Sequence, residues 1–592
     1  MKSKATFVWF VFAVALAAGI WLCQKFLPAG PPAIAPLLPG LRAAALTAVQ
    51  ISPAGAREIT AVRTNGAWQL VKPLAYPAQT AAIEALAGAL EKLAPATRLT
   101  AADLRGHENA DADFGFENPQ FAIDLAAGGQ TWHLLVGKKT APGDQVFIRV
   151  VGLDGAFVTD AGWLQRLPHS ADEWRDTALV AAGPVDWLVI TNGTKAMEFR
   201  RDPTNQLWRM IRPLAARADG ARLAAALEQL LAGHVVQFVT DDRRTDLSGY
   251  GLQPADLDVW LGRGNNFTAA IHVGMSPPDN PALVYAQREG WNAVVTAGKD
   301  TFLAWRGSVN DFRDPHLLTP TAPVAEIEVR GAMGNFTLQQ RGPGRWAVAG
   351  EKFPADLETV QAYLKLLASL RVSEFVKDVV TATDLQGFGF TPPARQIILR
   401  GAAGDTNSVL VQLLFGNTET NRVLVKRGDE DFIYALKPAD VAQLPEHGWE
   451  FRDRCVWSFS ETNVARVTLR QNGQTRELVR TGNNKWSFGP TSQGIINPPA
   501  LEETVHRLGE LIAAGWVARH VTEPEKYGLK PDNLSLTIEL KSGEKLGLDF
   551  GAELAQGRTA LAAVTLDGER WAFVFPPALY QFVAAYLTLP PT

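Results

Sequence analysis

Cysteine is almost missing from this chain: only Cys23 and Cys455 occur in 592 residues. A disulfide framework and a cysteine-based metal site are both excluded, so the fold must rest on burial. Charge of one sign is missing too. With 57 basic and 61 acidic residues and a net charge of -4, and no concentrated basic run, the chain lacks the electrostatic footprint of a nucleic-acid binder. Catalytic signatures are equally scarce. No G-x-S-x-G elbow, P-loop, H-E-x-x-H or dinucleotide fingerprint occurs, and glycine-bearing fragments such as GRGNN (Gly262 to Asn266) read as hairpin turns. The sequence therefore offers no catalytic, cofactor-binding or metal-binding residue, and no cofactor is expected.

The N-terminus is different in kind. Ala5 to Cys23 runs without a charge, and about 20 apolar residues in a helix span a bilayer's hydrocarbon core. The sequence predicts a transmembrane anchor over residues 5–27. Lys2 and Lys4 precede it, which favours a cytoplasmic N-terminus with the bulk of the chain exported to the periplasm, a single pass through a bacterial inner membrane. A cleaved signal peptide and a lipoprotein Cys23 are the alternatives. Residues 28–45 are proline-rich and read as an extended, semi-rigid linker.

Beyond that linker the chain repeats itself. An aromatic-glycine loop occurs as DFGFENP, GYGLQP, GFGFTP and KYGLKP, with its glycines at Gly115, Gly251, Gly389 and Gly528, 136, 138 and 139 residues apart. A tryptophan after a turn recurs at Trp68, Trp208, Trp346 and Trp486, spaced by 140, 138 and 140. A glycine closes an apolar strand at Gly137, Gly274, Gly416 and Gly551, and an acid-aromatic-Arg-Asp segment occurs three times around Arg175, Arg313 and Arg452. These landmarks define four tandem repeats of about 139 residues, over 46–180, 184–319, 323–460 and 464–590. The fourth has no Arg-Asp segment.

Each repeat reads as a hairpin, an amphipathic helix such as AAIEALAGALEKLA (Ala81 to Ala94), the aromatic-glycine loop, several short strands and a closing helix such as AGWLQRL (Ala161 to Leu167) or PADVAQL (Pro438 to Leu444). The fold class is α+β, largely antiparallel sheet behind one N-terminal transmembrane helix. The loop's aromatic and the Leu or Phe after its glycine are both expected to reach the core while the glycine allows the turn. The hairpin tryptophans are expected to be buried. His133 and His272 stand four and two residues before their strand glycines, at positions that are not equivalent, and read as structural. Asp241 and Asp242, ahead of Arg243 and Arg244, read as a solvated turn. The carboxylates Glu173, Asp176, Asp311, Asp314, Glu450 and Asp453 lie beside arginines expected to pair with carboxylates or cap a chain end.

The ordered landmarks, with the D-L-x-x-[YF]-G-[LF] loops at Asp246 to Leu252 and Asp384 to Phe390, resemble the bacterial family called domain of unknown function 4340, from Leu46 onward. The resemblance implies one membrane helix, exported repeats, and an association with gliding-type ABC-2 transporter components; it implies no reaction. The reading that follows is a non-enzymatic periplasmic scaffold or binding protein, with the membrane and membrane-protein partners of a transport complex as its contacts and no nucleic acid. An envelope-polymer binder or hydrolase acting on carbohydrate or peptidoglycan, and a surface adhesion or motility element, are the alternatives.

Overall fold

In the computed structural model the described residues are 35–319, 322–401, 409–490, 492–554 and 559–588. The expected anchor over 5–27 lies outside them. Among the described residues no helix is long and apolar enough to cross a membrane.

The first repeat shows how the sequence pattern becomes a sheet. Phe121–Ala127 alternates buried and half-buried residues along its length, which is the period of a strand with one face on a core. It lies antiparallel to Leu46–Pro53, with Ile51 opposite Ile123. To one side of this central pair follow Ile59–Thr64, Ala67–Lys72 and the two-residue edge Tyr76–Pro77; to the other follow Gln130–Lys139, Gln145–Val150, Ala156–Asp160 and Thr97–Leu99. The helix Thr80–Glu91 leaves the edge strand and buries Ile83, Leu86, Ala87 and Leu90, one helical stripe at three- and four-residue steps. Among the described residues the other sheets keep this order, with nine, nine and eight strands in antiparallel arrangement, the fourth without the two-residue edge strand. The chain is thus mostly antiparallel sheet in repeated units.

Two compact units divide it. One runs to Arg201 and takes in Arg209–Ala215 and Ala221–Ser308; the other comprises Asp202–Trp208, Ala216–Gly220 and everything from Val309 onward.

The expected linker is shorter than the proline pattern suggested. Leu37, Leu38 and Leu41 are buried in the core of the first repeat, and the Leu37 amide donates to Leu93 O at 2.6 Å. Prolines stiffened this stretch without keeping its leucines out of the core, so the packed domain begins before Leu46.

The aromatic-glycine loop is a one-turn helix with a left-handed stop. Its glycines have φ of +80°, +67°, +78° and +69° at Gly115, Gly251, Gly389 and Gly528, where an L side chain is strained. In each copy the amide after the glycine reaches back five residues: Phe116 to Asp111 O (2.7 Å), Leu252 to Leu247 O (3.0 Å), Phe390 to Leu385 O (2.7 Å) and Leu529 to Pro524 O (3.0 Å). That is the Schellman closure of a helix C-terminus, with its apolar follower buried. Only the follower is buried, as Phe116, Leu252, Phe390 and Leu529. The aromatic before the glycine is half-buried in every copy, contrary to the expectation that both would enter the core, because a left-handed residue between them sends the two side chains apart. The motif's aspartate caps the turn: Asp246 accepts from Ser248 N, and Asp384 caps with Thr381.

The two glycine landmarks meet. A Cβ on Gly137, Gly274, Gly416 or Gly551 would collide with the carbonyl oxygen of Phe114, Tyr250, Phe388 or Tyr527. The next amides, Lys138, Met275 and Asn417, donate to Phe114, Tyr250 and Phe388 O at 2.8, 3.0 and 2.9 Å. Gly137→Ala should therefore cost about 1 to 3 kcal/mol through overpacking against backbone. Gly88→Ala, within the helix and with open space around it, should stabilise by about 0.5 to 1 kcal/mol. Urea midpoints of the two variants are expected to move in opposite directions.

Candidate functional site at the repeat junctions

The three Arg-Asp segments follow short 3-10 turns, Ala171–Trp174, Val309–Phe312 and Gly448–Phe451, which drop Trp174, Phe312 and Phe451 into the core. The acids ahead of the aromatic serve the turn. Glu173 Oε1 accepts from His169 N and Ser170 N, both at 3.1 Å, and Glu450 Oε1 from Glu446 N and His447 N at 2.8 and 2.7 Å.

Each arginine is then held by backbone on both sides. In the first copy Gln79 N donates to Trp174 O at 2.7 Å and Asp176 N to Pro77 O at 2.8 Å; in the second Asp219 N to Phe312 O at 2.8 Å and Asp314 N to Arg217 O at 3.1 Å; in the third Asp356 N to Phe451 O at 2.8 Å and Asp453 N to Pro354 O at 2.9 Å. The aspartate turns the chain onward, its Oδ1 accepting the amide two residues later: Ala178 (3.1 Å), His316 (2.9 Å) and Cys455 (2.9 Å).

The side chains cross into the next repeat. In the first unit Arg175, 0% exposed, has its guanidinium carbon 4.1 Å from the Tyr76 ring and 3.6 Å from that of Phe238. Nη1 and Nη2 donate to the two oxygens of Asp241 at 3.0 and 2.7 Å. Among the described residues its Nε has no hydrogen-bond partner; the ring faces stand beside the cation instead. In the second unit Arg313, 2% exposed, lies 4.1 Å from Phe375 and 4.6 Å from Phe432 and donates to Asp378 at 2.6 Å. Also in that unit, Arg452 lies 4.6 Å from Trp571, 5.0 Å from Phe353 and 5.7 Å from Trp516, and donates to Asp567 at 2.8 Å. A planar, weakly hydrated guanidinium suits this aromatic-and-carboxylate box, where a lysine ammonium would not.

A second layer of charge surrounds the middle box. Arg217 pairs with Asp314 and, at 2.7 Å, with Glu430, whose other oxygen accepts from the Tyr434 hydroxyl at 2.7 Å. Burial opposes the Arg217 charge, and Glu430 and Asp314 more than offset it, holding its pKa above the usual value. In the third box the position of the acid is taken by a base. Phe238-Val-Thr-Asp241 and Phe375-Val-Lys-Asp378 correspond to Trp516-Val-Ala-Arg519; Arg519 is neutralised by Glu569 at 2.7 Å and Glu351 at 2.6 Å, and Asp567 supplies the carboxylate that Arg452 needs.

Asp241, read from sequence as part of a solvated turn, is thus corrected to a junction residue: the turn's charge is drawn inward by a buried cation that no local pattern revealed. The F-V-x-D recurrence was the available signal, and the third copy breaks it. Asp378, Asp567 and the box aromatics were not singled out. The hairpin tryptophans Trp68, Trp208, Trp346 and Trp486 are all buried, far from solvent-facing platforms. Where the first three repeats receive the Arg-Asp chain, the fourth buries Leu587, and Arg476 donates to Thr588 O at 2.7 Å and Ile495 O at 3.1 Å.

The two sequence histidines each face a cross-strand aspartate. His133 pairs with Asp124, and His272 sits with Nδ1 2.6 Å from Asp258 and Nε2 2.7 Å from Glu289. The bond to Asp258, against the opposing effect of burial, and that to Glu289 raise the His272 pKa above 6.5. Raised in the folded state, it contributes stability that is fully present below about pH 6.5 and is lost as pH climbs through the folded value. The stability gap between the wild type and His272→Gln should accordingly be largest at acid pH and shrink above neutrality in thermal melts. Among the described residues no group of three His, Cys, Asp or Glu side chains is placed to hold a metal ion.

No curated protein matches the chain. Among solved structures, a puromycin-hydrolysing peptidase of Mycobacterium tuberculosis aligns over 76% of this chain and 52% of its own at 12% identity, with a TM-score of 0.07; the chain spans about half of that protein, and the likeness carries no argument. A sequence family matches three times, over residues 68–205, 208–352 and 346–532, each match opening at a hairpin tryptophan. On these matches the chain belongs to the family described as Domain of unknown function (DUF4340).

Proposed function

We propose that this protein is a non-enzymatic, membrane-anchored periplasmic scaffold or binding arm, accessory to an envelope ABC-type transport or gliding-type complex. The observation that carries the reading is the use of three buried arginines. Arg175, Arg313 and Arg452 sit in structural boxes with every strong charge matched, and a chain that devotes its buried polar chemistry to joining repeats is suited to presenting surface to partners. The uncharged stretch from Ala5 to Cys23 supports an anchor, and the lysines before it support export of the repeats. Affinity capture of the membrane-embedded protein from its native host should bring down membrane transport subunits. A periplasm-only reporter fused after Thr592 should be active; silence there, with a cytoplasmic reporter active, would end the envelope reading.

One feature favours envelope-polymer binding as a second reading. In the second unit a polar cleft of about 570 Å³ is lined by Glu446, Glu450, Arg519, Trp449 and Tyr527, groups of the kinds that hold sugar rings. Co-sedimentation with purified peptidoglycan sacculi, lost on Trp449→Ala, is the expected outcome on that reading; failure to sediment removes it.

A further inference from the structure

We infer that the third repeat contains a binding cavity for a small amphiphile with an aliphatic body and a single carboxylate head. The repeats agree in their landmarks but not in what their closing helices bury. Eleven residues before the junction arginine, the first copy carries Leu164, the second Phe302 and the third Val441; one residue later stand Gln165, Leu303 and Ala442. Leu164 and Phe302 are buried. Val441 and Ala442 are small, and they line a cavity of about 500 Å³ between the closing segment and the ends of the central strands, within the size range of small-molecule sites.

The cavity's floor is apolar: Val329, Phe415 and Val423 are buried strand residues that line it. Its rim is formed in part by the hairpin loop Gly331 to Gly334, where Met333 stands 62% exposed, an adaptable apolar side chain over an opening. One cation lies among the lining side chains. Arg395 is half-buried, is aligned in the sheet opposite Phe415 and Gly331, and is oriented by donation from Nη2 to Pro445 O. A fixed guanidinium at the wall of an apolar cavity recognises a carboxylate. Glu446, exposed at the rim, disfavours a second negative charge. An aliphatic monocarboxylate satisfies all three features.

The test is calorimetric titration of the full chain with decanoate, decanol and decylamine, below their aggregation ranges. Decanoate is expected to bind at one site, decanol more weakly and decylamine weakest. Arg395→Gln should weaken decanoate about tenfold, the loss of one charge-assisted contact, and leave decanol unchanged; Arg395→Lys should recover part of the difference. Val441→Phe, which places the second repeat's residue in the third, should fold and abolish binding of every probe; Val441→Leu, which copies the buried Leu164 of the first repeat, serves if it does not. No saturable binding, or binding that survives the filled cavity, overturns the site. Decanol bound as tightly as decanoate, with no effect of Arg395→Gln, overturns the carboxylate head. Neither result bears on the scaffold reading, which rests on the junctions.

Discussion

Replacing Arg175 with methionine is expected to destabilise the junction between the first and second repeats by about 3 to 5 kcal/mol, from the loss of charge-assisted hydrogen bonds of roughly 1.5 to 3 kcal/mol each and of a desolvated cation–π contact of about 2 kcal/mol. Asp241 would lose both of its guanidinium bonds, and Tyr76 and Phe238 would lose the cation between them. Arg175→Lys should recover little, because an ammonium cannot donate twice in one plane while lying between two rings. Asp241→Asn should cost about as much, since it leaves the fully buried guanidinium with Asp172, 3.1 Å away, as its remaining carboxylate. Urea unfolding followed by tryptophan fluorescence would report the loss, with Trp174 in the adjoining turn and Trp291 at 4.9 Å from Tyr76. A cost under about 1 kcal/mol, the level of a surface pair, would reduce the box to decoration.

The second large effect belongs to the hairpin tryptophans. Trp68→Ala should cost about 3 to 5 kcal/mol by emptying a large core position. Substitution by phenylalanine separates packing from hydrogen bonding. Among the described residues the indole Nε1 of Trp68 has no hydrogen-bond partner, so Trp68→Phe breaks no hydrogen bond. That of Trp486 donates to Glu502 Oε2 at 2.8 Å, a carboxylate also held by Arg480, so Trp486→Phe should cost a further ~1.5 to 3 kcal/mol. Equal effects of the two phenylalanine variants in chemical denaturation would contradict this assignment.

Periodicity made the repeat plan legible, because spacing is kept wherever a backbone device recurs. The left-handed glycine in each loop needs glycine whatever packs nearby, and the buried tryptophan after each turn answers to local strand alternation. Both therefore leave a mark at a fixed interval. The junctions were half legible. Arg175, Arg313 and Arg452 recur, but their partners come from the following repeat at separations of 66, 65 and 115 residues, and the last change of interval hides the pattern. Asp241 looked solvated because a sequence shows the neighbouring Arg243 and Arg244 and cannot show a guanidinium 66 residues upstream. The leucines at 37, 38 and 41 were hidden by the prolines around them. The cavity of the third repeat left no motif at all, since it arises where residues are smaller than their counterparts.

The central claim is that each buried arginine fixes its closing segment to the repeat that follows. Native-state hydrogen exchange on the full chain, wild type against Arg175→Met, tests it most directly. Val235 N donates to Thr177 O at 2.7 Å and Leu179 N to Gly233 O at 3.0 Å, so these amides report the first junction, whereas Ile123 and Ile190 lie in central strand pairs. The expected result is exchange at least about a hundredfold faster at Val235 and Leu179, as local opening becomes easier by roughly 3 kcal/mol, with Ile123 and Ile190 unchanged. Unchanged exchange at Val235 and Leu179, or equal acceleration at all four amides, would contradict it.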